Sequence, residues 1–192
     1  MTKVIEVTAN EVYYQTKGAL IHDVFHGFKE DYLVIHSLLR KYNPKSILEI
    51  GTNIGSGVNV MARACPNADI YSLDLDYETM KTNSKQYPIG SKGEDRVGSA
   101  VTVSYTQLRG DSLGYDYDSL PYMEAWYIDG EHDYQHANIE SLKAMYHKAN
   151  LIIWHDSDMP PVWEGITNAI SSSDNYQLFR VIDTRIAFAI RI

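Results

Sequence analysis

Two short segments of the chain are rich in carboxylates and imidazoles, the groups that transfer protons and bind divalent cations. The first segment contains Asp129, Glu131, His132 and Asp133, and the second contains His155, Asp156 and Asp158. An imidazole titrates near neutral pH, and neighbouring carboxylates raise its basicity. His132 is therefore the preferred general base, with Asp129, His155 and Asp156 as its candidate catalytic partners. The alternative is that His132 is a helix residue in contact with solvent.

A third segment, ILEIGTNIGSG at residues 47–57, combines a carboxylate with three glycines. Gly51, Gly55 and Gly57 allow a sharp turn and let backbone amides approach a ligand without an intervening Cβ. The carboxylate of Glu49 would repel a pyrophosphate, whereas it would attract a ligand that carries an ammonium group, a sulfonium and a ribose. The second glycine follows the first by four positions instead of two, which argues against NAD or FAD. A tight turn without a ligand is the alternative.

Further polar residues follow at the spacing expected for a nucleoside site. Asp74 ends the next predicted strand, about twenty residues after the glycine turn, where such folds place a carboxylate for the ribose hydroxyls. Asp76 is the neighbouring alternative, and a solvated strand end is the interpretation without a ligand. Gly110–Asp111–Ser112 could bind the exocyclic amine of an adenine or form an Asx turn, and the residues leave both open.

The apolar pattern places these segments at the ends of predicted strands. Helical spacing predicts helices over Phe28–Tyr42, from the glycine turn to Cys65, over Gln135–Lys148 and over Val162–Ile170. Five strands are predicted, in chain order, over Ser46–Ile50, Ile70–Leu75, Val101–Tyr105, Ala125–Ile128 and Leu151–Trp154. Residues 176–182 and 185–192 are separated by two residues only, so they must form an antiparallel hairpin as the sixth and seventh strands. This alternation predicts an α/β, Rossmann-like, doubly wound and mostly parallel sheet whose ligand lies at the carboxyl ends of its strands.

Length and charge limit the domain organisation and the partners. The 192 residues correspond to one domain, which we place at 28–192, with residues 1–27 as an N-terminal arm or partial cap. The net charge of -8 opposes binding to phosphate backbones, and no run of 18 apolar residues exists, so neither nucleic acid nor membrane is expected as a partner. The single cysteine and the lack of a signal-peptide pattern favour the cytoplasm. The 15 tyrosines could line a substrate cleft or the interface of a homodimer.

Together, the segments ILEIGTNIGSG, YSLDLD, YIDGEHDY and LIIWHDSD resemble a class I S-adenosylmethionine-dependent methyltransferase. More narrowly, the chain is similar to the small methyltransferase group with an I-D-G-x-H-x-Y segment after the fourth strand and an H-D pair after the fifth. The resemblance covers the chain from about Phe28 to its end. It implies a seven-stranded sheet of order 3-2-1-4-5-7-6, which agrees with the predicted hairpin.

The resemblance also implies an activity and a set of cofactor-binding residues. The residues for the methionine part and the ribose are Glu49, Gly51, Thr52, Asn53, Gly55, Ser56 and Gly57. By the same resemblance, Asp74 and Leu75 would bind the ribose, Asp111 and Ser112 would bind the adenine, and Asp129 would contact the cofactor. The implied reaction is methyl transfer from S-adenosylmethionine to a small-molecule acceptor, with a hydroxyl as the expected group. The alternative is a protein that binds S-adenosylmethionine or S-adenosylhomocysteine without transfer.

In the catechol-type relatives of this fold, carboxylates at adjacent strand ends hold a divalent cation. By this resemblance, Asp129 and Asp156 are candidate ligands of Mg²⁺, which would lower the pKa of an acceptor hydroxyl. Those relatives have a further acidic or amide residue next to the second aspartate, whereas this chain has Ser157 there. The alternative without a metal has Asp129 in contact with the cofactor, while Asp156 orients His155 or His132.

Two features depart from the family pattern. The usual Gly-Gly turn before the fifth strand is replaced by residues 147–150, His-Lys-Ala-Asn, where Asn150 is expected to take the left-handed position. The N-terminal arm is short and leaves little material for the cap that gives many such enzymes their acceptor specificity. The identity of the acceptor therefore does not follow from the resemblance.

Overall fold

The computed structural model describes residues 3–14, 29–79 and 95–192. Its strands are β1 (Val4–Val7), β2 (Ser46–Ile50), β3 (Asp69–Asp74), β4 (Thr106–Arg109), β5 (Ala125–Ile128), β6 (Leu151–Trp154), β7 (Tyr176–Val181) and β8 (Ala187–Arg191). Its helices are α1 (Ala9–Val12), α2 (Lys29–Tyr42), α3 (Ser56–Ala64), α4 (Tyr134–Tyr146) and α5 (Pro160–Ile170). None of the helices in this part of the chain is both long enough and apolar enough to cross a lipid bilayer.

The eight strands form one sheet in the order β1-β7-β8-β6-β5-β2-β3-β4. Strand β8 runs antiparallel to β6 and β7, and every other pair is parallel. This confirms an α/β, mostly parallel sheet with an antiparallel C-terminal hairpin. The predicted count of seven strands and the order of the whole sheet were wrong, because Val4–Val7 adds an eighth strand beside β7. The other seven strands keep the predicted relative order. A four-residue edge strand is too short to show a clear period in the sequence.

The central strands separate two apolar cores. All residues of β5 and β6 are buried, as expected for parallel strands that are covered by helices on both faces. Ile47 and Ile153 belong to the core that includes residues of α2 and α3. Their chain neighbours, Leu48 and Ile152, belong to the core that includes residues of α4 and α5. Because successive strand residues point to opposite faces, continuous apolar runs build both layers at once.

The third predicted strand was wrong in position, because β4 begins at Thr106 and not at Val101. Asn59 on α3 explains the difference. Its Nδ2 donates to the carbonyl of Ala100 over 2.9 Å, and its Oδ1 accepts from the backbone N–H of Thr102 over 3.0 Å. This stretch thus satisfies its backbone through a helix side chain instead of a β-ladder.

The expectation for the turn before β6 was also wrong in one residue. Lys148 takes the left-handed conformation, with φ of 58°, and Asn150 is not among the described residues with positive φ. The N–H of Asn150 donates to the carbonyl of Glu124 over 2.8 Å, and its own carbonyl accepts from Arg191 over 3.0 Å. Because Asn150 already lies in the hydrogen-bonded sheet, the chain must complete its turn earlier.

Candidate active site

A cavity of about 340 Å³ lies at the carboxyl ends of the central strands. Its volume is in the range of small-molecule sites, and its position is the one expected for an open α/β sheet. The predicted site residues that line it are Gly51, Asn53, Asp74, Leu75, Asp111, Ser112, Asp129, His132, His155 and Asp156. The other predicted residues, Glu49, Thr52, Gly55, Ser56 and Gly57, are not part of its lining. The two acidic and histidine-containing segments therefore meet at one cavity with part of the glycine loop.

The loop after β2 requires a glycine at position 51. Gly51 has a φ of 97°, a conformation that residues with a side chain rarely adopt. A Cβ on Gly51 would also overlap with the backbone carbonyl of Asp129. The missing side chain thus lets the loops after β2 and β5 touch.

Glu49 lies beneath the glycine loop and is only 1% exposed. Its carboxylate accepts a hydrogen bond from the hydroxyl of Ser72, which also pairs with the hydroxyl of Thr52 at 2.7 Å. A Cβ on Gly57 would overlap with the Glu49 carboxylate. Burial raises the pKa of Glu49 well above its usual value, the bond from Ser72 opposes this, and the charge of Asp129 adds to the rise. The structure therefore places Glu49 as support for the loop.

Asp74 ends β3 in the cavity wall, where backbone amides hold its carboxylate. Oδ2 accepts from the N–H of Asn53 and Oδ1 from the N–H of Leu75, each over 2.8 Å. Burial raises the pKa of Asp74, and these two bonds oppose the rise. Each oxygen keeps acceptor capacity for a further donor, such as a ribose hydroxyl. Asp76 instead binds the backbone and the hydroxyl of Thr79, which makes it a local capping residue.

Both interpretations of the loop after β4 have a counterpart in the structure. Asp111 accepts from the N–H of Leu113 over 2.9 Å, the bond of an Asx turn, while Asp111 and Ser112 also line the cavity. The hydroxyl of Ser112 donates to Oε1 of Glu140 on α4 over 2.6 Å. This bond ties the loop to the helix that follows β5.

Asp156 is the centre of a cluster of charged side chains. Its Oδ2 lies 2.9 Å from Nδ1 of His155 and 3.0 Å from Nε2 of His132, and its Oδ1 accepts from Nη1 of Arg185 over 3.0 Å. Although burial raises the pKa of Asp156, its bonds with His132 and His155 hold that pKa well below the usual range. The residue has a φ of 53°, a left-handed conformation that turns the chain directly after β6.

Asp129 lies beside this cluster and belongs to the cavity lining. Oδ2 of Asp129 accepts from the hydroxyl of Tyr127 over 2.7 Å, and Oδ1 lies 3.4 Å from Nδ1 of His155. Burial raises the pKa of Asp129, and the charge of His155 lowers it in part. One imidazole therefore connects the aspartates that follow β5 and β6.

Two members of the cluster, Asp31 and Arg185, were not predicted from the sequence. Nε of Arg185 donates to Oδ2 of Asp31 over 2.9 Å, and its backbone N–H donates to Oδ1 over 3.0 Å. Asp31 lies in the first turn of α2, and Arg185 lies in the connection between β7 and β8. In the sequence an acid in a first helical turn is explained by the helix dipole, so neither residue carries a distinct signal. Tyr32 and His136 also line the cavity without having been predicted.

The carboxylates of the cluster favour protonated imidazoles. The hydrogen bond with Asp156 raises the pKa of His132, although burial opposes the rise. For His155, burial lowers the pKa, and the contact of 2.9 Å between its Nε2 and Nη2 of Arg185 favours a neutral ring. The bonds with Asp156 and Asp31 prevail and raise the pKa of His155 to about 10. The site thus carries negative charge that protons or a cation can compensate.

Asp129, His132 and Asp156 each offer one ligand atom, and these atoms all lie within 4.8 Å of one another. Two carboxylates and one imidazole form a possible cation-binding set that adds His132 to the two predicted ligands. An imidazole suits Zn²⁺ or Fe²⁺ better than Mg²⁺, which prefers oxygen ligands.

Comparison with known proteins places this architecture among characterised folds. No protein-family model matches the chain, and no curated protein matches it. The SAH-bound methyltransferase PaMTH1 of Podospora anserina is similar with a TM-score of 0.61 and 11% identity, over 100% of this chain and 90% of that chain. The O-methyltransferase TomG of Streptomyces achromogenes, in complex with SAM, is similar with a TM-score of 0.56 and 14% identity, over 95% and 88%. MycE from the mycinamycin biosynthetic pathway, in complex with Mg, SAH and mycinamycin VI, gives 0.54 and 16%, over 80% and 47%. The chain therefore has the fold of S-adenosylmethionine-dependent methyltransferases.

Proposed function

We propose that this protein transfers a methyl group from S-adenosylmethionine to the hydroxyl of a small molecule. The observation that carries the proposal is one cavity with the Asp74 carboxylate in one part of its wall and the cluster of Asp129, His132 and Asp156 in another. Such a transfer requires a group that positions the cofactor, here a carboxylate for the ribose, and a group that takes the proton of the acceptor hydroxyl. The methyltransferase fold of the chain supports the assignment.

The cofactor-binding residues follow from their places around the cavity. Asp74 would bind the ribose hydroxyls, because its oxygens are oriented by backbone amides and lie in the wall. Asp111 and Ser112 would contact the adenine, Gly51 and Asn53 the methionine part and the ribose, and Leu75 the ribose. Glu49, Thr52, Gly55 and Gly57 are buried and Ser56 is half-buried, and these five residues would act by shaping the loop.

His132 is the proposed general base. Its Nε2 lies 3.0 Å from Asp156 Oδ2, and an Nε2–H bond to this carboxylate would leave Nδ1 as the basic nitrogen. The cofactor supplies an electrophilic methyl group on a positively charged sulfur. His132 would take the acceptor proton as the acceptor oxygen forms its bond to the methyl carbon, while the carbon–sulfur bond breaks and S-adenosylhomocysteine is left. Asp156 would stabilise the resulting imidazolium. Arg185 and His155 would hold Asp156 in place.

The same three side chains also allow a metal-dependent mechanism, in which His132 would be a ligand and not a base. We favour the base, because Nε2 of His132 lies 3.0 Å from Oδ2 of Asp156, so the two groups can share a proton without a metal. The predicted ion, Mg²⁺, also prefers oxygen ligands to an imidazole. The two mechanisms differ in one measurement. A metal-dependent transfer would be lost in EDTA and restored by a divalent cation such as Mg²⁺, Mn²⁺ or Zn²⁺, whereas transfer through His132 as a base would be unchanged by EDTA.

The proposed partners are small molecules, and the proposed compartment is the cytoplasm. A net charge of -8 opposes the approach of a nucleic acid to the site. The only cysteine, Cys65, is buried and donates to the carbonyl of Leu39 over 3.4 Å, and burial raises its pKa to about 11. It is therefore a structural residue and fits a reducing compartment.

Calorimetric titration with S-adenosylhomocysteine tests the cofactor assignment. We expect binding by the wild type, a loss of about tenfold or more in affinity for Asp74→Asn, and wild-type affinity for the control Asp76→Asn. No heat at a protein concentration near a hundred micromolar would remove the basis of the proposal.

The variant His132→Ala distinguishes methyl transfer from the alternative, binding of the cofactor without transfer. Its rate of transfer should fall by a factor of ~100 or more, while its affinity for the cofactor is unchanged. If His132→Ala and Asp156→Asn both transfer at the wild-type rate, the catalytic assignment is wrong.

A further inference from the structure

A buried carboxylate on α4, Glu140, lies outside the lining of the cavity. Glu140 is fully buried, and its Oε2 has no hydrogen-bond partner among residues 3–14, 29–79 and 95–192. Its Oε1 accepts the hydrogen bond of 2.6 Å from the hydroxyl of Ser112. An unpaired buried carboxylate oxygen destabilises a fold, and each such atom requires an explanation.

Glu140 lies directly behind the cavity wall. Its two neighbours there, Ser112 and Gly130, both line the cavity. A Cβ placed on Gly130 would lie 3.6 Å from Oε1 and 4.0 Å from Oε2 of Glu140. The carboxylate is therefore close enough to control what these wall residues offer to a ligand.

The bond to Glu140 fixes the direction in which Ser112 can hydrogen-bond. A serine hydroxyl has one proton, and a length of 2.6 Å is typical of a hydroxyl that donates to an ionised carboxylate. With its proton bound to Glu140, Ser112 can only accept a hydrogen bond from the cavity. An apolar residue at position 140 would leave the hydroxyl free to donate or to accept.

The bond from Ser112 to Glu140 fits an ionised carboxylate, and Glu140 is ionised under alkaline conditions. Burial raises the pKa of Glu140 to about 7, while the bond from Ser112 opposes the rise. The charged groups that face it are His136, which lowers this pKa, and Asp133 and Asp111, which raise it. The carboxylate is therefore ionised at pH 8.

We propose that Glu140 determines the base specificity of the cofactor site. By holding the proton of Ser112, it makes the cavity select a purine that carries an exocyclic amine and reject one that carries a carbonyl oxygen there. The inference rests on the proposed function, because it takes Ser112 as the neighbour of the purine. An amine donates to Ser112, whereas a carbonyl oxygen would face a second acceptor with no proton between them.

Two thioethers test this inference, S-adenosylhomocysteine and S-inosylhomocysteine, in which hypoxanthine replaces adenine. Their dissociation constants would be measured by calorimetry at pH 8 for the wild type, Glu140→Gln and Glu140→Met. Ser141→Ala is the matched control, because this buried hydroxyl on the same helix binds only Ala137 and Trp154 in the described structure. Circular dichroism and the melting temperature would report whether each variant is folded.

We expect the wild type and Ser141→Ala to prefer the adenosyl compound by about tenfold to a hundredfold. In Glu140→Gln and Glu140→Met the preference should fall by about tenfold. The glutamine amide can rotate and donate to Ser112, and the methionine thioether cannot hold the Ser112 proton, so in both variants the hydroxyl is free to donate to a carbonyl oxygen. A purely structural role for Glu140 would weaken both ligands equally. If Glu140→Met does not fold, the isosteric Glu140→Gln decides.

An unchanged preference in a folded Glu140→Gln, or a wild type without any preference, would overturn the inference and leave the proposed function standing. A wild type that binds neither thioether would overturn both.

Discussion

At the scale of single residues, the site depends on a glycine without a Cβ and on two buried carboxylates. Gly51 lets two loops touch because it has no Cβ, while Glu49 and Glu140 are buried carboxylates whose burial raises their pKa values. In the absence of a ligand, the two buried carboxylates destabilise the fold when they are ionised.

Replacement of Gly51 by alanine should destabilise the protein by about 3 kcal/mol or more. The added Cβ would meet the carbonyl of Asp129, and an alanine at a φ of 97° is strained. Gly114→Ala is the control, because a Cβ there has its nearest neighbour 3.9 Å away, at the carbonyl of Asp111. Urea unfolding of both variants measures the difference. Equal, small losses of stability in the two variants would contradict this account of the loop.

Glu140 should make the ligand-free protein less stable as the pH rises. Its pKa is raised from 4.5 to about 7, so the folded state keeps a proton that the unfolded chain has lost. The stabilisation is complete below pH 4.5 and is lost as the pH rises through 7. A difference of about 2.5 units corresponds to roughly 3 kcal/mol.

The measurement compares free energies of unfolding at pH 5 and pH 8. Glu140→Gln should remove most of that part of the pH dependence, whereas the exposed control Glu164→Gln should keep it. Identical pH profiles for the wild type and Glu140→Gln would show that the carboxylate titrates normally in the folded protein.

At the scale of elements, side chains from helices replace backbone pairing at the edge of the sheet. The stretch before β4 is held by Asn59 on α3, which binds the carbonyl of Ala100 and the N–H and hydroxyl of Thr102. Likewise, Arg185 and Asp31 connect the β7–β8 turn to the start of α2. These links position loops that contribute no strand of their own.

Asn59→Ala should therefore destabilise the protein by about 1–3 kcal/mol, because it leaves backbone groups of residues 100 and 102 without their partner. Asn59 is 1% exposed, so water cannot easily replace the lost bonds. Asn138→Ala, which removes a single bond of 3.1 Å to the carbonyl of Gly165, should have the smaller effect. Denaturant midpoints of the two variants provide the comparison, and a reversed order would contradict the role given to Asn59.

At the scale of the whole molecule, the cofactor should act as part of the fold, because the cavity that it would occupy joins loops after five strands. A ligand that binds only the folded state, at a hundred times its dissociation constant, stabilises that state by about 2.7 kcal/mol. For a chain of this size, S-adenosylhomocysteine should then raise the melting temperature by roughly 5–10 °C. Asp74→Ala should lose at least about half of this shift at the same concentration. A shift of equal size in wild type and variant would place the ligand elsewhere.

Much of the architecture was predictable because it depends on local pattern. Apolar runs of four or five residues, followed by glycine or acidic turns, predicted β2, β5 and β6 with their correct bounds. The two-residue separation required the C-terminal hairpin. The strand β1 was missed because four residues at an edge carry little periodicity, and β4 was misplaced because Asn59 competes with the sheet for the backbone of its neighbours.

The sequence by itself determined that acids, histidines and glycines follow strand ends, because parallel strands bring their carboxyl ends to one edge. Only the tertiary structure decided which of these residues share a cavity. It brought Arg185 into contact with Asp156 and with Asp31, which is 154 positions away along the chain, and it put Glu49 beneath the loop instead of in the wall. The physical reason is that burial and charge pairing depend on distance in space, which the spacing along a chain does not fix.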